Sequence, residues 1–232
     1  MGKGLMVAAC ALGAAAIVAP ASGDPGDGPL STSLHQVKPR GGAGAAANTT
    51  IFVLTGTPSA NTINAFGDST GRLVVTSPEG IVEPDGPAPE CVQDSPTQVS
   101  CMPGFIGALA GDLGAGNDTF SAQKSLRTLI GISLVSQERP LSGGLGNDRI
   151  SGGLGGDLIR GGPGNDALLG FGGGDLIDGG TGRDRVSGGG ASDILLGGPG
   201  RDKLHGGSGR DLCNGGGGFD TSESCNVTRK IP

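Results

Sequence analysis

Nine aspartates recur at intervals of nine residues: Asp148, Asp157, Asp166, Asp175, Asp184, Asp193, Asp202, Asp211 and Asp220. An ionised carboxylate only accepts hydrogen bonds, and carboxylates stacked at a fixed spacing repel until something cationic sits between them. A hard divalent ion, which takes roughly six to eight oxygens from carboxylates and backbone carbonyls, suits this pattern. Paired carboxylates could also imitate the acid and base of a glycosidase, but recurrence through nine units is better explained by metal. Asp178 falls outside the period and reads as plain surface.

The residues around each aspartate repeat with it. From Gly143 to Glu223 the chain is nine nonapeptides in register, among them GGLGNDRIS, GGPGNDALL and GGPGRDKLH. Glycine dominates the first, second and fourth places. The eighth is Ile150, Ile159, Leu168, Ile177, Val186, Leu195 and Leu204, then lapses to Cys213 and Ser222. Glycines in those places permit the positive φ angles and close backbone approach of a tight turn. The last three residues of each unit then make a short strand, the eighth side chain pointing in and the seventh and ninth out. Two units form one coil, with a turn on each side and a thin aliphatic seam between two parallel sheets, the signature of a solenoid. Ordering so much glycine costs more free energy than a single row of aliphatics returns, so a bound cation must supply the missing cohesion.

These nonapeptides resemble the RTX, or haemolysin-type, calcium-binding repeat, consensus GGxGxDxUx. The resemblance spans 81 of the 232 residues. It implies an all-β fold, a right-handed parallel β-roll in which calcium lies between a turn and the turn one coil later. Carried onto this chain, an odd column pairs Asp148 with Asp166, then Asp184, Asp202 and Asp220. An even column pairs Asp157 with Asp175, then Asp193 and Asp211, giving four plus three, up to about seven, calcium ions. Phe171 replaces a second-place glycine and Ala191 a fourth-place one. Arg183, Arg201 and Arg210 take the fifth place, where Asn147 and Asn165 stand earlier. A cation beside such a site lowers its affinity, so the tightest binding is expected early in the array.

The rest of the chain must position and close this array. Residues 1–21, with Lys3, an apolar run from Leu5 to Val18 and Ala19-Pro20-Ala21, read as a secretory signal peptide. The rival is a lipoprotein signal at Cys10. Residues 22–47 read as a Gly/Ala/Pro-rich linker, 48–141 as a strand-rich N-terminal cap region, 142–223 as the β-roll and 224–232 as a C-terminal cap. Two degenerate units lie within the cap region. The one at 56–64 carries Asn61 and Ile63; the one at 113–121 carries Asp118, a tenth candidate ligand, and Phe120. Apart from Cys10 there are four cysteines, which allow three pairings. Proximity favours Cys91 with Cys101 and Cys213 with Cys225, as suits an oxidising, extracellular setting.

Fifty glycines, no Trp, no Tyr and a net charge of −6 argue against nucleic acid and for cations as partners. His35 and His205 read as solvated, and sequons at Asn48, Asn117 and Asn226 are weak signals. With no H-E-x-x-H, G-x-S-x-G or P-loop motif, no catalytic role is expected. No membrane span is expected either. The outward seventh residues Leu158, Leu176, Ile194 and Leu212 form an apolar ladder, expected to pack on the strands between Thr49 and Ser136 or on a second copy. The expected function is a secreted calcium-binding structural or binding protein that folds on calcium. The alternative is a calcium-dependent adhesin or glycan-binding surface module, against which the absence of Trp and Tyr counts.

Overall fold

The structure is a computed structural model that describes residues 30–37, 49–82, 91–102, 106–123, 129–130 and 140–229. The candidate signal peptide, Cys10 and Asn48 lie outside the described residues. Two sheets, one of eleven strands (sheet A) and one of ten (sheet B), hold all the named strands. In the array, successive strands alternate between them. Leu158–Pro163, Leu176–Thr181, Ile194–Gly200 and Leu212–Gly218 belong to sheet A. Arg149–Ser151, Ala167–Gly172, Arg185–Gly190, Lys203–Ser208 and Thr221–Glu223 belong to sheet B. Every pairing among them is parallel and joins residues one coil apart, as in Leu158 with Leu176 and Arg185 with Lys203. The result is a parallel β-solenoid of about five turns over residues 141–229.

The core is the expected seam. Ile159, Ile177, Leu195 and Cys213 face inward from sheet A, and Ile150, Leu168, Val186 and Leu204 face them from sheet B, all fully or almost fully buried. The strands run further than the sequence suggests. They continue past the ninth residue through the first glycines of the next unit, as in Leu158–Pro163, so the turn narrows to the fourth to sixth places. From Gly161 onward the first glycine is therefore a strand residue on the inward face, and the positive φ angles fall on the second and fourth places, as at Gly162 and Gly164.

Upstream, the two degenerate units are further rungs of the same stack. Thr49–Thr57 pairs in parallel with Ile106–Gly114 in sheet A, and Thr62–Gly67 with Thr119–Ala122 in sheet B. Phe52, Leu54, Ile63, Leu109, Leu113 and Phe120 carry the seam into these rungs. The inserted strands then turn antiparallel. Leu73–Thr76, Gln98–Cys101 and Cys91–Ser95 extend sheet B, with Cys91 opposite Cys101 in register and bonded to it. Antiparallel hairpins close their own hydrogen bonds locally, which ends an otherwise open solenoid. Leu30–Val37, expected within the linker, is instead a strand antiparallel to Thr49–Thr57. The glycine and proline that suggested a linker flank this LSTSLHQV segment and are absent from it.

At the other end, Val227–Arg229 adds a last strand to sheet A and Cys213 is bonded to Cys225. The apolar ladder stands on the outer face of sheet A, Leu158, Leu176, Ile194, Leu212 and Val227 in one register row. It is half-open, with Ile194 39% and Val227 50% exposed. The described strands between residues 49 and 122 do not cover it, contrary to the intramolecular expectation. They bear the same inward seam and stack along the axis, while Leu158, Leu176 and Leu212 are half-buried on the outer face. No helix among the described residues is long and apolar enough to cross a membrane.

Candidate metal centre

Each aspartate sits where a turn re-enters a strand, two residues before the inward aliphatic, and so on the inward face itself. All ten, Asp118 and the nine of the array, are no more than 5% exposed. They are linked into two ladders by one recurring contact: the backbone N–H of each aspartate donates to Oδ1 of the aspartate one coil later. The odd ladder runs Asp118, Asp148, Asp166, Asp184, Asp202, Asp220 at 2.8–2.9 Å. The even ladder runs Asp157, Asp175, Asp193, Asp211 at 2.8–3.0 Å. The turn amide is thus satisfied by the carboxylate that follows it, as a buried N–H requires.

The second oxygen is the informative one. Oδ2 of Asp118, Asp148, Asp166, Asp175, Asp184, Asp193, Asp202, Asp211 and Asp220 is buried with no hydrogen-bond partner. Asp157 differs, because its Oδ2 accepts the Gly153 N–H at 2.9 Å. Within the array these orphaned oxygens lie against the first glycine of their own unit. A Cβ placed on Gly143, Gly161 or Gly170 would run into the carboxylate of Asp148, Asp166 or Asp175. The consensus glycine at the first place is there to make room for the aspartate.

A buried anion without a partner is costly, and the carboxylates respond. Burial pushes Asp175 up to about 8, Asp166 to about 7, and Asp118, Asp184 and Asp193 to about 6, from an ordinary 3.8. Neighbouring column carboxylates add to the rise in each of these. It is opposed by the amide donated from the preceding coil or, for Asp118, by the hydrogen bonds from Asn61. Asp148 and Asp202 are raised for the same first reason. Nine orphaned anionic oxygens in two files fit a series of hard cations. Among the described residues no three His, Cys, Asp or Glu side chains cluster. A cation held here would therefore draw on the aspartates of adjacent coils and fill its shell from backbone carbonyls of the glycine turns.

A family model described as the RTX calcium-binding nonapeptide repeat, in four copies, matches residues 141–168, 169–204 and 187–221. Residues 141–221 are RTX calcium-binding repeats. Compared with curated proteins and with solved structures, the chain matches none of them.

The two aspartate ladders of the stack end on asparagines that take an aspartate's place, the odd one at its head and the even one at its tail. At the head, the Asn61 backbone N–H and its Nδ2 both donate to Asp118 Oδ1, at 2.6 and 2.9 Å. At the tail, Asn226 Oδ1 accepts the Asp211 N–H at 2.7 Å, the contact by which successive aspartates of a column are joined. Asn61 was legible as an amide in the aspartate slot. Asn226 was not: it follows Asp211 by 15 residues, against 18 inside the array, and by sequence it is only the asparagine of an N-V-T sequon. The fifth-place asparagines form a parallel ladder at the surface. Asn147 N–H donates to Asn117 Oδ1, Asn165 N–H to Asn147 Oδ1 and Arg183 N–H to Asn165 Oδ1, at 2.7–2.9 Å. Arg183 offers no such acceptor, and the Arg201 N–H goes to the Gly182 carbonyl instead. Arg183, Arg201 and Arg210 are exposed, and none makes an ion pair to a column aspartate among the described residues.

Proposed function

We propose that this protein is an exported, calcium-loaded structural or binding protein whose RTX array folds on meeting calcium, and that it catalyses no reaction. The reading is carried by the nine buried carboxylate oxygens that lack any partner in the protein. A ligand-free fold holding that many uncompensated anions is unstable, and divalent cations between coils remove the cost. On this reading the ions lie between coils, beside the five odd and three even aspartate-to-aspartate steps. Asp157, whose second oxygen is already engaged, contributes the weakest of them. Two disulfides suit an oxidising compartment, which supports export. Millimolar calcium outside the cell lies within the range that weak extracellular modules use.

Circular dichroism during calcium titration of the chelator-treated chain tests this, with bound calcium counted by mass spectrometry. Asp166→Asn keeps the Oδ1 acceptor that Asn61 and Asn226 retain but removes the charge. It is expected to lower the bound-ion count and to shift the folding midpoint to higher calcium. Asp178→Asn, on the outer face of sheet A, is expected to leave both unchanged. Equal folding in excess chelator with no bound ions would refute the proposal.

A further inference from the structure

The outer faces of the two sheets differ in chemistry. Sheet A carries the apolar ladder, and its Arg160 is engaged with Asp178 at 3.6 Å. Sheet B carries cations. Arg149, Ala167, Arg185, Lys203 and Thr221 are register neighbours in one row that runs along the solenoid axis, across the strands. The adjoining row is Ser151, Leu169, Ser187, His205 and Glu223. Together with Arg201 these rows line a shallow open groove of about 970 Å³. Arg149, Arg185, Arg201 and Lys203 are all exposed, and the one carboxylate in the lining is Glu223, at the C-terminal end. It lies 3.9 Å from His205 Nδ1.

We propose that this groove binds a linear polyanionic polysaccharide laid along the solenoid axis. The proposal rests on the calcium-folded array. Rungs of a sheet are spaced by about 4.8 Å, so Arg149, Arg185 and Lys203 present charges over roughly 14 Å in one straight line. Such a line matches an extended chain with recurring sulfate or carboxylate groups better than it matches a compact ligand. The groove floor is mixed: Leu169 stands between Ser151 and Ser187, whose hydroxyls offer sugar hydroxyls partners while the leucine offers an apolar surface to the ring carbons. A neutral glycan would need aromatic stacking, and the chain has no Trp or Tyr; a charged one is held without it. The same lack of stacking platforms disfavours single-stranded nucleic acid.

Calcium makes the face available electrostatically as well as structurally. Residues 143–223 carry eleven carboxylates against seven Lys and Arg, a formal −4. Nine of the eleven are the column aspartates, so each calcium ion adds two positive charges inside the array while the cations of sheet B stay outside. Three ions suffice to turn the array net positive, with the positive face on sheet B.

The test uses the full chain in calcium, with dextran sulfate as the probe and uncharged dextran as its neutral counterpart, read by titration calorimetry. Circular dichroism on the same samples reports the fold. Binding to dextran sulfate and not to dextran is expected, weakening as salt rises from low to physiological strength. R185E/K203E is expected to weaken it at least tenfold, Arg149→Glu several-fold, and Arg160→Glu on the opposite sheet not at all. The proposal is overturned if calcium-folded protein ignores dextran sulfate, or if R160E weakens binding as much as R185E/K203E, which would mean diffuse charge. Displacement of the glycan by anionic phospholipid vesicles or duplex DNA at equal charge, with tighter binding to either, also overturns it. A chain that fails to fold in calcium refutes the calcium reading instead, and the spectrum distinguishes the two failures.

Discussion

A glycine and an aspartate five residues apart compete for one volume in every unit of the array, and the glycine yields. That relation explains the first glycine by space, whereas the second and fourth are explained by backbone angle. Where the angle is needed and glycine is missing, the chain adopts it anyway: Phe171 and Ala191 sit at φ 79° and 78°. An L-residue in that region is strained by about 1–2 kcal/mol, part of which a glycine returns through its larger freedom in the unfolded chain. Ala191 is exposed, so its methyl group loses little packing when removed. Ala191→Gly is therefore expected to raise stability in calcium by about 0.5–1 kcal/mol, seen as a higher urea midpoint at unchanged slope. A lower midpoint would show that the Ala191 side chain contributes more than its backbone costs.

At the scale of the element, the array had to be stopped as well as repeated, and the two ends use different means. The head is covered by antiparallel strands joined through Cys91 and Cys101, while the tail ends on a short strand that the Cys213–Cys225 bond holds against the last coil. Asn226 then accepts the Asp211 amide without adding another charge to the even column. Asn226→Ala leaves that N–H, half-buried in its contact, without an acceptor, at a cost of about 1–3 kcal/mol. Faster hydrogen exchange is expected in the strand Leu212–Gly218, with the strand Leu158–Pro163 unaffected; uniform change through the array would argue against a local cap. The period made the seam, the two sheets, the aspartate columns and even the degenerate rungs at 56–64 and 113–121 legible, because each depends on spacing alone. What escaped depends on breaks in spacing. Asn226 returns to register three residues early, through a loop that the disulfide ties down. Leu30–Val37 has neither the period nor strict alternation, and its strand is set by the partner Thr49–Thr57. The length of the strands was hidden because glycine reads as turn, although from Gly161 onward the first glycine of each unit is an inward strand residue.

For the whole molecule, protons and calcium are alternative ways of quieting the same columns, and this fixes how the metal-free protein responds to pH. Burial raises Asp118, Asp184 and Asp193 to about 6, Asp166 to about 7 and Asp175 to about 8 in the folded array. In the unfolded chain an aspartate titrates near its ordinary value of about 4. A carboxyl raised on folding binds more protons folded than unfolded, so its contribution to stability is fully present below about pH 4. That contribution is lost as pH rises through the folded values. Chelator-treated protein is accordingly expected to show strand-rich circular dichroism at pH 4, to lose it between about pH 6 and 8, and to regain it at pH 7.5 when calcium is added. The ions displace protons still held on the columns, so calcium addition near pH 7 to weakly buffered protein is expected to acidify the solution. Asp166→Asn and Asp175→Asn remove the two highest of these titrations and should flatten the pH response, far more than Asp178→Asn, whose charge is the smallest of the contributions to the raised Asp184. Metal-free protein equally folded at pH 4 and pH 7.5 would mean that the paired coils tolerate their buried charges, and that cohesion comes from the aliphatic seam and the backbone ladders alone.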